Sequence, residues 1–340
     1  MRLLTRTFGQ TPPQGHSLFI SLHGGGGAPP EINDQQWHNQ IQLYEPNEGI
    51  VIAPRAPTNE WNMWFQPHMD PLYDKLIYDL VATGQVNPNR VYLMGYSAGG
   101  DGVYQLAPRM ADRFAAAAMM AGHPNDSSPL GLRNIAFAIY AGGDDKAYMR
   151  NCKAGEWEGM LNILELLTGA YPHRVQIYKD TGHWMNHRDR EALEWLARFS
   201  RNPLPNEITW CQGSVFHSRF YWLAADKQNA QKYDVVHAKR QGQHISLASS
   251  RPFPVRVRLN DQMLDLDQPI AISGPGFHPF QGPVNRTIAT MAATLAERSD
   301  PAGIFSAQIE LLPNHNAHDP TIPPARLTEE RLHQILGPLN

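Results

Sequence analysis

Cysteine is nearly missing from this chain: Cys152 and Cys211 are the two among 340 residues. Two cysteines make no disulfide framework, and no C-x-x-C pair supplies structural zinc with ligands. Charge is thin as well. Asp, Glu, Lys and Arg account for 18% of the residues and leave a net charge of −3, so there is no electrostatic case for a nucleic-acid or polybasic membrane binder. Long apolar runs are also lacking; the longest, Phe114 to Ala121, is too short to span a bilayer. Arg2, Leu3, Leu4, Thr5 and Arg6 form no secretory apolar stretch, and the expectation is a cytoplasmic protein, or a secreted one if a leader has been trimmed. No internal repeat of 20–50 residues is present.

What the chain does have is core-forming material. Apolar residues make up 42% and aromatics 9%, which excludes wholesale disorder. Gly 27 and Pro 28 point to many loops. The length suits two domains, or one large domain with an appendage.

Over the first two hundred residues, compact apolar runs alternate with helical periodicities. Leu18 to Leu22 and Gly49 to Ala53 read as strands. Asp70 and Pro71 read as a helix start, a capping carboxylate followed by proline at the first helical position. Leu72, Leu76, Ile77, Leu80 and Val81 then recur at helical spacing. A turn at Asn87 to Asn89 leads to the strand Val91 to Gly95. Phe114 to Met120, Ile135 to Ala141 and Arg174 to Lys179 read as further strands. Trp157, Met160, Leu161, Leu164 and Leu167 mark a helix face that stops at Gly169, and Ala192 to Ala197 continues a helix. Strands alternating with helices in this way call for a mostly parallel sheet covered on both faces. Near Asn202 to Pro205 the pattern turns β-rich, with Val255, Val257 and Leu259 alternating against Arg256 and Arg258. The expectation is an α/β domain over 1–202 and a smaller β-rich domain over 205–340 that contains one helix, Thr287 to Arg298, and ends in a Pro- and His-containing tail.

The sharpest local signal is Gly95-Tyr96-Ser97-Ala98-Gly99, where a strand ends and a helix begins. A serine on such a strained turn presents its hydroxyl above the sheet, and glycines two residues to either side let the chain pass itself closely. The second signal is His23 followed by Gly24 to Gly27, directly after the strand Leu18 to Leu22. Backbone N–H groups reach a developing oxyanion only where no side chain intervenes. A phosphate loop is excluded, because no GKS or GKT follows. Downstream of Ser97, Asp144 and Asp145 follow one strand and His183 follows another, so each lies past the carboxyl end of a strand, the edge where open α/β sheets build their sites.

These motifs resemble the α/β-hydrolase superfamily over roughly residues 15 to 200, and within it the esterase branch, similar to polyhydroxybutyrate depolymerases and feruloyl esterases, with a relation to prolyl-oligopeptidase-type hydrolases. The resemblance implies Ser97 as nucleophile, His183 as general base and Asp145 as orienting acid, with Asp144 as the alternative acid and His187 as the alternative base. It implies an oxyanion hole from Gly24 or Gly25 together with Ala98. The expected reaction is hydrolysis of a carboxylic ester, of a small molecule or a polymer, with no cofactor and no metal; His183 and His187 lack the glutamate of a metal-binding HExxH. A prolyl-oligopeptidase-like peptidase and a non-catalytic binding module on the same fold are the rival expectations. The aromatic loop around Trp61, Met63, Trp64 and Phe65 either lines a substrate pocket or packs onto the core. Trp184 is a further candidate for the pocket, and His123 lies near the same edge. In the β-rich part, Trp210, Phe220, Tyr221 and Trp222 suit a glycan-stacking face or a strand core, so a lid, a dimer surface, a binding appendage and a brace all stay open.

Overall fold

The structure, a computed structural model, describes residues 1–314; the expected Pro- and His-containing tail otherwise lies outside the described residues. The chain divides into two compact units, the first Met1–Asn202 and the second beginning at Pro203.

The first unit is built on seven strands: β1 (Leu3–Phe8), β2 (His16–Leu22), β3 (Gly49–Pro54), β4 (Val86–Tyr96), β5 (Ala116–Met120), β6 (Ala136–Gly142) and β7 (His173–Tyr178). They lie in the order β1-β3-β2-β4-β5-β6-β7, with β1 antiparallel to β3 and every other pair parallel. β2, β3, β5 and β6 are buried along their whole length, which is why they read as unbroken apolar runs. Four helices lie between them, α1 (Pro30–Leu43), α2 (Met69–Ala82), α3 (Ala98–Arg109) and α4 (Arg150–Thr168), and a fifth, α5 (Ala192–Leu196), follows β7. On one face Phe19, Tyr92, Met94 and Tyr140 pack against Trp37 and Ile41 of α1 and Leu193 and Leu196 of α5. On the other, Tyr104 of α3, Trp157 of α4 and Phe137 of β6 form an aromatic cluster with ring centroids 4.5–5.8 Å apart.

Three local readings are corrected. Asp70 does not cap α2: the helix begins at Met69, and the buried Asp70 carboxylate takes a bidentate ion pair from Arg109 of α3. The buried face of α2 is Met69, Tyr73 and Ile77, while Leu72, Leu76 and Leu80 are only half-buried. Asn87 to Asn89 is no turn between elements but part of β4, whose register against β2 shifts between His16 and Leu18. Pro88 sits where the ladder is broken, a place where a missing N–H costs nothing.

The second unit holds a five-stranded and a four-stranded sheet, which include Glu207–Cys211 and Val255–Leu259, and a helix over Ile288–Arg298 capped by the Thr287 hydroxyl. Trp210, Phe220, Tyr221 and Trp222 are all buried, so they form core and no stacking face. Arg258, placed outward by the alternation, is buried instead and makes a bidentate ion pair with Glu297.

Candidate active site

The chain runs from β2 to β3 on one side and returns to β4 on the other, so the order in which strands are added reverses between the parallel neighbours β2 and β4. Open α/β sheets leave a crevice at such a switch point. The register sets Leu22 opposite Gly95, which brings the glycine run after β2 alongside the turn after β4. That turn is tight. Ser97 has φ 58° and ψ −121°, a region costly for a residue with a Cβ and found where surrounding structure enforces it. Glycine is obligatory beside it: a Cβ on Gly95 would sit 2.4 Å from the Gly99 carbonyl oxygen, and one on Gly99 2.1 Å from that of Leu22.

Two other strand ends deliver the rest. β6 ends at Gly142, and the turn after it buries Asp145. β7 ends at Tyr178, and the following loop carries His183. The imidazole Nδ1 lies 2.6 Å from Asp145 Oδ2, and Nε2 lies 3.0 Å from Ser97 Oγ. A buried carboxylate, an imidazole and a hydroxyl thus stand in one chain of hydrogen bonds. Asp144 is exposed and makes no such contact; its N–H donates to the Thr181 carbonyl. His187 is exposed and packs edge-on against Trp184.

The His183 loop is held from below. The Tyr96 hydroxyl donates to the His183 carbonyl at 2.7 Å and accepts the Met185 N–H at 2.9 Å; burial pushes its pKa up, so it stays a neutral donor. Arg150 lies 3.5 Å from Asp145 Oδ1, on the oxygen opposite the histidine.

Gly24 passes Ser97 so closely that a Cβ on it would lie 3.3 Å from Ser97 Cβ. Gly25 has φ +99°, and a Cβ there would meet Asn33 Oδ1 at 2.2 Å. Asn33 is fully buried and braces the loop, accepting the Gly26 N–H and donating to Ala28 O and Asn59 Oδ1. His23 fastens the loop from inside the protein. Its Nε2 accepts the Ala56 N–H, which leaves Nδ1 as donor to the Gly24 carbonyl at 2.6 Å. Burial is the main reason its pKa is lowered to about 4, which keeps the ring neutral. Because carbonyl and N–H point opposite ways across a trans peptide, pinning Gly24 O fixes the direction of the Gly25 N–H. Ala98 is the first residue of α3, and its N–H has no partner within the helix.

Ser97 lies between two cavities. One, of about 760 Å³, is lined by Gly24, Gln36, Tyr96, His183, Trp184 and His187 among others. The other, of about 580 Å³, is lined by Trp61, Ala98, Asp101, His123, Lys146 and Arg150 among others. Trp61 and Trp184 are 57% and 46% exposed. Trp64 lines neither cavity: it is fully buried, and its Nε1 donates to His23 O. The expectation that it touches substrate is therefore corrected, since this tryptophan holds the glycine loop to the core. Asp101 accepts the His123 N–H at 2.7 Å, and burial raises its pKa to about 6.

Asn33 and Gln36 lie in no motif, and Tyr96 occupies a variable position of the serine motif, so nothing in the sequence marks their roles. His23 is the exception, as the residue that opens the glycine run. Among the described residues, no group of three or more His, Cys, Asp or Glu is placed to hold a metal ion, and no helix is long and apolar enough to cross a membrane.

The strand order, the switch point between β2 and β4, and the strand–serine–helix turn give the first unit an α/β-hydrolase fold. No protein-family model matches it. Residues of the chain are 29% identical over 145 positions to a curated protein named "Putative esterase NocK" from Nocardia uniformis subsp. tsuyamanensis, which covers 39% of this chain and 41% of that one. The chain thus spans less than half the length of that relative. Among solved structures it is similar to a thermostable esterase (21% identity, 58% of this chain and 59% of that one, TM-score 0.42). It is also similar to a ferulic acid esterase (17%, 58% and 98%, TM-score 0.37).

Proposed function

We propose that the protein is a serine esterase that hydrolyses carboxylic esters through an acyl-enzyme on Ser97. The observation that carries this reading is the unbroken chain Asp145–His183–Ser97, at 2.6 and 3.0 Å. Asp145 accepts the Nδ1–H, which leaves Nε2 free to take the Ser97 proton, and it stabilises the imidazolium that forms. Ser97 Oγ then attacks the ester carbonyl. The oxyanion is received by N–H groups of the Gly24–Gly25 loop and of Ala98, fixed before the substrate arrives. His183 hands its proton to the alkoxide oxygen, and the alcohol departs. Water enters, gives a proton to the same Nε2 and attacks the acyl carbon; that proton returns to Ser97 Oγ as the acid leaves. The name of the curated relative agrees with this activity.

The test is hydrolysis of short p-nitrophenyl esters beside a panel of peptide anilides, with Ser97→Ala as control. The expected result is ester turnover that falls by about 10⁴-fold or more in Ser97→Ala. Turnover that survives the substitution, or turnover of anilides alone, overturns the reading.

A further inference from the structure

The two cavities that meet at Ser97 have different tasks under that mechanism. The imidazolium has to hand its proton to the leaving alcohol, so the alcohol must lie on the side of Ser97 where the His183 ring stands. That is the larger cavity, lined by both Ser97 and His183; the smaller one is lined by Ser97 and Ala98 without His183. The acyl group therefore goes toward Trp61 and His123, and the alcohol toward Trp184 and α1.

Gln36 of α1 lines the alcohol side. Its Oε1 lies 3.5 Å from where a Cβ on Gly24 would sit, and its Cγ 3.7 Å from the same point on Gly25. It lies beside the glycine loop, in the cavity that Ser97 also lines. Its neighbours on the helix are all occupied. Asn33 braces the loop, Gln35 donates to Asn39 at 2.8 Å, and Gln40 donates to Ser21 Oγ at 2.8 Å. Of the five carboxamides from Asn33 to Gln40, Gln36 alone makes no side-chain hydrogen bond among the described residues. A half-buried carboxamide is both donor and acceptor, and a hydroxyl, also both, is its natural complement.

We propose that Gln36 reads the leaving alcohol, and that the preferred substrates are esters whose alcohol carries a second, free hydroxyl on the carbon next to the one bearing the ester oxygen. This rests on the serine-esterase reading. Butyrate esters of ethylene glycol and of 1-propanol test it, because they differ by a hydroxyl in place of a methyl. Butyrate release by the full chain is followed for both, with p-nitrophenyl butyrate alongside. The wild type is expected to favour the glycol ester by about 3- to 10-fold in kcat/KM, the range of one hydrogen bond. In Gln36→Leu the ratio should fall to about one, and Gln36→Glu, which keeps an acceptor, should retain part of it.

An equal rate on the two esters in the wild type overturns the proposal and leaves the esterase reading intact. So does an unchanged ratio in both variants, or an equal loss on both esters. Turnover of p-nitrophenyl butyrate alone overturns it likewise. If p-nitrophenyl butyrate is not hydrolysed either, the esterase reading itself fails. Thermal melts of both variants separate a lost fold from a lost contact.

Discussion

Gly25 and His23 control the same peptide from opposite sides, and they separate catalysis from stability. Replacing Gly25 by Ala puts a methyl 2.2 Å from Asn33 Oδ1 at φ +99°, so the loop must shift and its N–H must turn. One misplaced oxyanion donor costs about 10²–10³ in kcat. Gly25→Ala is therefore expected to lose that much p-nitrophenyl ester turnover while keeping a cooperative melt; unchanged kcat would remove this loop from the oxyanion site. His23 acts on stability through its proton. Its folded pKa is about 4 against 6.5 for the free side chain, so between those values the unfolded chain binds the extra proton. Stability contributed by His23 is fully present above about pH 6.5 and is lost as pH falls toward 4, by on the order of 3 kcal/mol. Melting temperatures from pH 7 to 4.5 should drop more steeply for the wild type than for His23→Gln. Parallel slopes would assign acid sensitivity to other groups.

Elements that are apolar throughout were legible before any coordinates: β2, β3, β5 and β6 have no exposed face to break the run. The serine turn was legible too, because the glycines its geometry demands flank it at fixed spacing. The edge strand β1 left no such trace, since its residues alternate between exposed and half-buried and carry no apolar run. Trp64 and Asp70 show a second limit. Local pattern gives a residue's type and place on an element, and the partner arrives from elsewhere: His23 O lies 41 residues before Trp64, and Arg109 lies 39 after Asp70. For Asp70 the partner carries a measurable consequence. Both side chains of the pair are almost fully buried, so removing one charge strands the other in a medium that cannot solvate it. Asp70→Ala should destabilise α2 against α3 by about 3–5 kcal/mol in denaturant unfolding, while Asp70→Leu combined with Arg109→Met should recover most of that. A single substitution that costs less than about 1 kcal/mol would show the pair to be solvated.

Ser97, Asp145, His183, the glycine loop and Ala98 all precede Pro203, and so do the seven strands and five helices that position them. The first unit has its own sheet, with a buried cluster from Phe19 to Leu196 on one face. A chain of about two hundred residues buries about 70% of its unfolded surface, enough to fold unaided. We therefore propose that residues 1–202 form an autonomous catalytic domain. Expressed alone, this segment should melt cooperatively and hydrolyse p-nitrophenyl butyrate with kcat/KM within about 10-fold of the full chain, since short esters reach only the cavities its own residues line. Comparing the glycol and propyl butyrates in the same segment adds a second readout. Gln36 lies in α1, so the alcohol preference should survive the truncation along with turnover. A soluble segment that folds yet has lost ester hydrolysis would place part of the working site beyond residue 202. One that fails to fold would make the second unit a requirement of the first.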